Sequence, residues 1–398
     1  MQYQLDHLPE ILEALLPSLN IAVIHSGDHH RPGAVLNRTY HPRFWKSYRN
    51  VAENIQTTLM DMGFQKVFLL ADDMSLQQEL AKKKIHLAWL NTGGMQGRNS
   101  MSHTPGLLDM LGVPYIGHCP HNYAVLDQKV SLKRLARSFG IATPDFVVWD
   151  PMYHSKRNKF LKLLHGTMSE EGGFVVKPVT GRASQYTHVI ERINDLPDAV
   201  REIYGQTHNQ VLIEKYLPGR EFCVSGGPPL IHRDGAFHRL PDPFTFSYVE
   251  RLLDQGERIF TSIDKVALDH SRAALLNKEE NEGQINKLSA ICRFFYREMA
   301  LKYLIRLDLR EDAKGVLNVL EINPKPDLKK PENGEFSLVA MGLEKQGLTY
   351  NDLILGLLGS YLDFTLTHRP VSVPAILQLL DTAGLAYNFN IGANCILS

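Results

Sequence analysis

Over its first third the chain alternates short apolar runs with longer segments of helical spacing. IAVIH (21–25), KVFLL (66–70) and IHLAWL (85–90) have strand length, and between them Arg49–Met62 and Ser75–Lys84 repeat apolar residues every three or four positions. TPGLLDMLG follows, with Thr104 as the expected cap, Pro105 in the first turn and Gly112 as the stop, and VPYIG is the next strand. This alternation predicts a doubly wound parallel sheet.

After residue 125 the pattern changes. Leu126–Phe139 is an amphipathic helix, basic on its polar side and closed by Gly140. FVVWDP, a helix near 156–168, FVVKPV (174–179), THVIERI (187–193), a helix capped by Asp195, and VLIEKYLPGREFCVSGG (211–227) predict a small mixed α/β unit. The remainder runs to about residue 366 and ends in the helix Tyr350–Leu362. The tail after it has no evident place.

The segment LIRLDLREDAKGVLNVLEINPKP (304–326) reads as two strands joined by a tight turn at Asp312-Ala313-Lys314-Gly315. Strand side chains alternate between faces. Arg306 and Asp308 share one face of the first strand, and Glu321 and Asn323 share one face of the second. A turn centred on Ala313-Lys314 would set Arg306 opposite Glu321, with Asp308 a diagonal step away. Two carboxylates and an amide oxygen are hard ligands of the kind Mg²⁺ takes together with substrate phosphates. The guanidinium can hold an anion in a fixed fork. A structural Arg306–Glu321 ion pair is the competing explanation.

Composition adds limits. The 398 residues exceed one ordinary core. Lys+Arg and Asp+Glu are equal at 43 each, so no basic field for nucleic acid is expected. The four cysteines (Cys119, Cys223, Cys292, Cys395) form no CxxC pair, which suits buried thiols in a reducing cytoplasm. The start MQYQLDHLPE lacks the character of a secretory signal, no apolar run is long enough to span a bilayer, and a cytoplasmic protein without a membrane partner is the expectation.

Three further signals suggest a nucleotide. Lys177 lies in a strand that reads as buried, where a lysine is costly unless it meets an anion, and the small residues of VTGRAS after it could contact phosphate through backbone N–H groups. Glu214, Lys215, Tyr216 and Leu217 end a strand before Pro218-Gly219 and could form an adenine slot, with Glu221 facing ribose hydroxyls. Lys129 starts a helix facing the same unit. Surface lysines and an edge Glu214–Lys215 pair are the alternative.

Together these segments resemble the ATP-grasp carboxylate–amine ligases, and among them the D-alanine–D-alanine ligase family, over roughly residues 20–366. TPGLLDMLGVPYIG and the Lys129 helix are similar to that family's second substrate-domain block. FVVKP, VLIEKYLPGREF and IRLDLR…VLEIN are similar to its ATP-grasp core, the last two specifically so. The resemblance implies an α/β ATP-grasp fold. Its parts would be an N-terminal doubly wound parallel-sheet domain (1–124), two α+β ATP-grasp subdomains (125–215 and 216–368) and a tail (369–398). It implies ATP and Mg²⁺ as cofactors, with small-molecule acid and amine substrates. A homodimer is compatible with this. Lys129 and Lys177 would contact the phosphates. Glu214, Leu217 and the backbone around Lys215 and Tyr216 would hold adenine, and Glu221 the ribose. Asp308, Glu321 and Asn323 would bind Mg²⁺, and Arg306 would stabilise the tetrahedral intermediate. Arg251 falls near the lysine of the family's mobile loop. A carboxylate would be phosphorylated and an amine would then attack the acyl phosphate.

The departures concern the substrates. The first loop, HSGDHHRPGAVLNRTYHPRFW, has no acid where the family carries a glutamate for an ammonium, and it brings His29 instead. The loop NTGGMQGRNSMSHTPG is longer than the family pattern and also lacks its acid. After Asn323 the small glycine-containing loop is replaced by Pro324-Lys325-Pro326-Asp327, so Lys325 and Asp327 become candidate substrate residues. His25, His29, His30 and His41 could bind zinc, or serve as hydrogen-bonding loop groups. Cys119, near His118 and His121, could suggest a nucleophile, but a buried small residue after a strand is the expectation. Segments 180–187 and 240–270 are expected to be mobile covers. Ligation of a small acid to an amine is the main expectation. D-alanine–D-alanine ligation itself, phosphorylation without ligation, and a nucleotide-binding regulator without catalysis are its alternatives.

Overall fold

The computed structural model describes residues 3–39, 45–154, 156–168, 172–181, 184–260, 272–332 and 336–385. The N-terminal lobe holds β1 (Asn20–His25), β2 (Lys66–Ala71), β3 (Leu87–Asn91) and β4 (Tyr115–Ile116) in a parallel sheet of order β2-β1-β3-β4. The helices Arg49–Asp61, Leu76–Lys82 and His103–Leu111 connect them. β1 and β3 are buried almost throughout, as expected of strands covered on both faces.

The helix read as Leu126–Phe139 is two helices, Pro120–Asp127 and Lys129–Ser138. Gln128 between them has extended backbone (φ −98°, ψ 106°). The break makes Lys129 the first residue of its helix. The central unit carries β5 (Phe146–Trp149), β6 (Phe174–Pro178), β7 (His188–Ile190) and β8 (Val211–Lys215) in an antiparallel sheet of order β5-β8-β6-β7.

The last unit carries β9 (Glu221–Gly227), the hairpin β10 (Leu230–Arg233) and β11 (Ala236–Arg239), β12 (Phe244–Arg251), β13 (Ala273–Leu275), β14 (Ile305–Glu311) and β15 (Leu317–Asn323). Five of these form an antiparallel sheet of order β13-β12-β9-β14-β15. The helix Lys278–Glu298 packs Cys292 and Phe295 into the core of this sheet, where they meet Phe222, Val224 and Leu307.

Several expectations need correction. Phe244–Arg251 is not a flap: it is a sheet strand whose backbone bonds go to β9. Residues 261–270 of that proposed cover lie outside the described residues, as do 182 and 183 of the other, and so do His41 and Cys395. Thr104 is not a cap. It sits inside its helix region and donates to the buried Asp72 at 2.6 Å, whereas Gly112 does end the helix at φ 66°. Asp195 precedes the helix Leu196–Thr207 without a side-chain cap bond. Cys119 is exposed, because it is the residue immediately before the helix Pro120–Asp127, while Cys223 and Cys292 are buried.

The described part of the tail closes the fold. Val373, Ile376 and Leu380, on and beside the helix Pro374–Thr382, enter the same core cluster as Leu8, Ile11 and Leu15 of the helix Leu8–Leu15. Tyr3 donates to Asp363 at 3.0 Å, and Arg239 donates to both oxygens of the same carboxylate at 2.8 Å through one nitrogen.

Candidate active site

The hairpin 304–326 forms as expected, with one register correction. Asp312 accepts from the Lys314 and Val316 amides, and Gly315 takes φ 77°, the left-handed conformation the turn requires. Beyond the turn, Leu309 pairs with Val319 but Asp308 pairs with Glu321, so Leu320 is an extra residue in β15. Glu311 pairs with Leu317, so the turn centres on Lys314, one residue's register from the expected centre, and the bulge adds one more; together they set Asp308, not Arg306, opposite Glu321, and Arg306 opposite Asn323. The bulge also turns Leu320 onto the wall of a cavity of about 300 Å³.

That cavity lies between the central antiparallel sheet and the five-stranded sheet, with Lys46 and Tyr48 of the N-terminal lobe on its wall. Its wall includes Lys129, Lys177, Glu214, Lys215, Tyr216, Leu217, Glu221, Arg251, Arg306, Asp308, Glu321, Asn323, Lys325 and Asp327. Of the residues expected at the ligase site, His29 is absent from it, as are His25 and His30. The His29 ring packs on His30 and Trp45, with centroids at 3.9 and 5.0 Å. Lys46 and Tyr48, which follow the first loop, are on the wall.

Glu214, at the end of β8, is 2 % exposed and carries Lys133 Nζ at 2.6 Å on one oxygen and Lys177 Nζ at 2.6 Å on the other. Its oxygens therefore face two ammoniums, which differs from the expectation of a free acceptor for adenine. Burial pushes this carboxyl up, but the two cations outweigh burial and hold it at about 2. Lys177 is likewise resisted by burial, and Glu214, then Glu321, hold its pKa above the ordinary lysine value. Burial lowers Lys133, which is fully enclosed and also bonds Thr143 Oγ1 at 3.0 Å and the Val319 carbonyl at 3.3 Å. Lys133 is a site residue that the sequence did not single out, although it lies one helical turn after Lys129 on the same face.

Lys129 Nζ reaches Glu321 at 3.5 Å and the Gly181 carbonyl at 3.1 Å. Both Lys129 and Lys177 have side chains only 12 % exposed, which removes the surface-charge alternative.

The five-stranded sheet builds a second charge ladder. Glu221 on β9 lies in register between Arg251 on β12 and Arg310 on β14. It meets Arg251 at 2.8 Å and Arg310 at 3.4 Å. Arg306 forks Asp308 at 2.8 and 3.0 Å, and Arg251 adds a bond to Asp308 at 2.9 Å. Burial raises the Asp308 carboxyl, but Arg251 and then Arg306 outweigh burial and hold it below its ordinary value. Arg251 thus sits on a strand between two carboxylates and not on a loop, because β12 remains paired through residue 251. Arg310 also carries no signal in the sequence that marks it as a site residue. Its guanidinium donates to the Tyr216 hydroxyl at 3.2 Å and the Arg258 carbonyl at 2.9 Å, and Arg258 lies over the Tyr216 ring at 4.3 Å.

Asp308, Glu321 and Asn323 supply hard oxygen donors on one face of two paired strands, and a cationic wall stands beside them. Among the described residues no group of three or more His, Cys, Asp or Glu is arranged to enclose a metal. Such a set fits Mg²⁺ completed by phosphate oxygens, and not an all-protein cage.

Fold and site together define an ATP-grasp ligase. The family model "D-ala D-ala ligase C-terminus" matches residues 135–359. An uncharacterised protein, y4sG, of Sinorhizobium fredii is 28% identical over 80% of this chain and 88% of its own length. D-alanine–D-alanine ligase of Gloeobacter violaceus is 27% identical over 78% of this chain and 92% of its own. The solved D-alanine–D-alanine ligase of Bacillus anthracis complexed with ATP superposes with TM-score 0.57 at 19% identity, covering 87% of this chain and 98% of that one. The chain belongs to the D-alanine–D-alanine ligase family. It is an ATP- and Mg²⁺-using carbon–nitrogen ligase that joins a carboxylate to an amine and acts on small molecules. No helix among the described residues is long and apolar enough to cross a membrane.

Proposed function

We propose that the two ends of this cavity divide the reaction, with ATP on the Lys177 side and the acid and amine beside Arg306 and Lys325. The observation that carries this is the buried Lys133–Glu214–Lys177 set facing the Asp308–Glu321 pair across one cavity. Glu214 fixes Lys177 by an ion pair. Lys177 and Lys129 then meet the phosphates as point charges. Lys215, Tyr216 and Leu217 border the adenine, and Glu221, steadied by two arginines, borders the ribose. Asp308, Glu321 and Asn323 would hold Mg²⁺, which neutralises phosphate charge when bound. The carboxylate attacks the terminal phosphate, and ADP leaves. The amine then adds to the acyl phosphate carbonyl and phosphate is expelled. Arg306, oriented by Asp308, donates to the oxyanion that forms in between.

In this reading 1–124 is the substrate lobe, 125–215 and 216–368 grasp the nucleotide, and the enzyme works in the cytoplasm, where ATP is supplied. A homodimer is the assembly to test, by light scattering. The substrate-side loops argue that D-alanine dimerisation is at best minor. A panel of amino acids and amines, read by phosphate release with mass spectrometry of the product, tests the assignment. Fast ADP release with D-alanine alone, giving D-alanyl-D-alanine, would return the chain to ordinary membership.

A further inference from the structure

Arg258 joins the last unit of the chain to the central one, away from the reacting groups. It lies in the stretch 252–260, which leaves the five-stranded sheet after β12. That stretch is fastened to its own unit. The Leu252 amide donates to the Arg272 carbonyl at 2.9 Å, and Arg272 donates to both oxygens of Glu257 at 3.0 and 2.8 Å. The Arg258 carbonyl accepts from the Tyr216 hydroxyl at 3.1 Å and from Arg310 at 2.9 Å. Its guanidinium reaches the central unit, where it donates to the Gly172 carbonyl and to a Glu191 oxygen, both at 3.0 Å.

These two acceptors flank the base of the β6–β7 hairpin. Gly172 lies two residues before β6, and Glu191 directly follows β7. One guanidinium therefore spans both strands. The base needs holding. β7 is an edge strand joined to β6 by three residue pairs. Gly172 and Gly173 have φ of 82° and 83°, a conformation that glycine adopts without strain. A short edge strand beside a glycine pair makes a local unit of low stability. The far end of the hairpin matters to the cavity: Lys177 on β6, and Gly181, Ser184, Gln185 and Thr187 of the connection to β7, are on its wall. A clamp at the base sets the angle of that tip. The Glu191 side chain is 80 % exposed, and an ion pair so placed is weak and screened by salt. A weak contact suits a clamp that must open.

We infer that Arg258 is a positioning residue that clamps the β6–β7 hairpin over the cavity and sets how fast a nucleotide held beneath the hairpin leaves. This deepens the reading of the Lys177 side as the nucleotide end, and rests on it. Release of N-methylanthraniloyl-ADP in the presence of Mg²⁺, followed by stopped flow on the full chain, tests it. Arg258→Ala should speed release at least about fivefold and Glu191→Gln about twofold, because losses of this kind fall mainly on the off-rate. Arg258→Lys should recover only part, since it keeps the charge but not the fork that spans both acceptors. Native release should quicken with added salt, and this dependence should be smaller in Arg258→Ala and Glu191→Gln. The KM of ATP should rise in Arg258→Ala while those of the acid and amine stay within about twofold. A merely structural link would shift the denaturant midpoint and leave release and its salt dependence as in the native chain. That result, in folded protein, overturns the inference. Glu191→Gln changes an exposed side chain, so its salt dependence decides the matter if Arg258→Ala fails to fold. If the native chain binds no nucleotide, the nucleotide reading fails instead, and amide exchange of 184–191 without ligand judges the clamp. Faster exchange in Arg258→Ala supports it, and equal protection overturns it.

Discussion

The two ends of the cavity are built in different ways. At the end proposed for the nucleotide, Lys133, Glu214 and Lys177 belong to one helix and two paired strands, and they are nearly withdrawn from water. At the end proposed for the substrates, Lys46, Tyr48 and Lys325 come from loops some 280 residues apart and meet around an aromatic ring. The first kind of site is an internal ion network, so removing a member leaves buried charge uncompensated. The second is a meeting of loops, so its members can be exchanged with less damage to the fold. A family that keeps its chemistry while changing substrates would vary the second and retain the first.

The largest expected effect probes that contrast directly. Glu214→Gln leaves two buried ammoniums without their carboxylate and should destabilise the protein by about 3–5 kcal/mol in denaturant titrations. Lys46→Met at the other end should cost clearly less. Equal losses would erase the distinction. Acid gives the same contrast without mutation. The Glu214 carboxyl is held at about 2 in the folded chain, below its ordinary 4.5. A lowered carboxylate pKa contributes stability that is complete above the unfolded value and fades as pH falls toward the folded one. Acid unfolding between pH 4.5 and 2 should therefore be steeper in the native chain than in Glu214→Gln.

Next in size is chemistry. Glu321→Gln removes one carboxylate from the set Asp308, Glu321 and Asn323, and turnover should nearly vanish with thermal stability little changed. Full activity at saturating Mg²⁺ would remove Glu321 from that role. A smaller effect is expected for Lys177→Ala, which should weaken ATP binding by about 1.5–3 kcal/mol. Lys177→Arg should not fully restore it, because a planar fork cannot replace a point charge opposite Glu214. Unchanged nucleotide affinity by calorimetry would contradict this. The mildest change belongs to the substrate end. Lys325→Ser should raise the KM of the acceptor, or shift substrate preference, more than it changes the KM of ATP. A selective loss of ATP affinity in that variant would invert the comparison.

Much of the fold and of the cavity wall is legible in the amino-acid sequence. The hairpin turn at Asp312–Gly315, the strands carrying Lys177 and Glu214, and the parallel sheet all follow from local periodicity and turn chemistry. The bulge at Leu320 does not, because strand periodicity specifies faces but not which residue goes unpaired across a turn. Lys133 and Arg310 are hidden for a related reason. A basic residue on an amphipathic helix or an alternating strand reads as solvated until a neighbouring element covers it.

Sequence alone determined the chemistry of single elements: which faces are apolar, where chains turn, and which strands carry the lysines and carboxylates of the cavity wall. These are short-range properties, set by backbone geometry and by residues a few positions apart. Only the tertiary structure decided how charges are shared. It gave both oxygens of Glu214 to lysines, placed Arg251 between Glu221 and Asp308, and brought Lys325 onto Tyr48 in place of His29. It also carried the tail back onto the first helix. Such pairings depend on distances of a few ångströms between segments far apart in the chain, and those distances are fixed by packing.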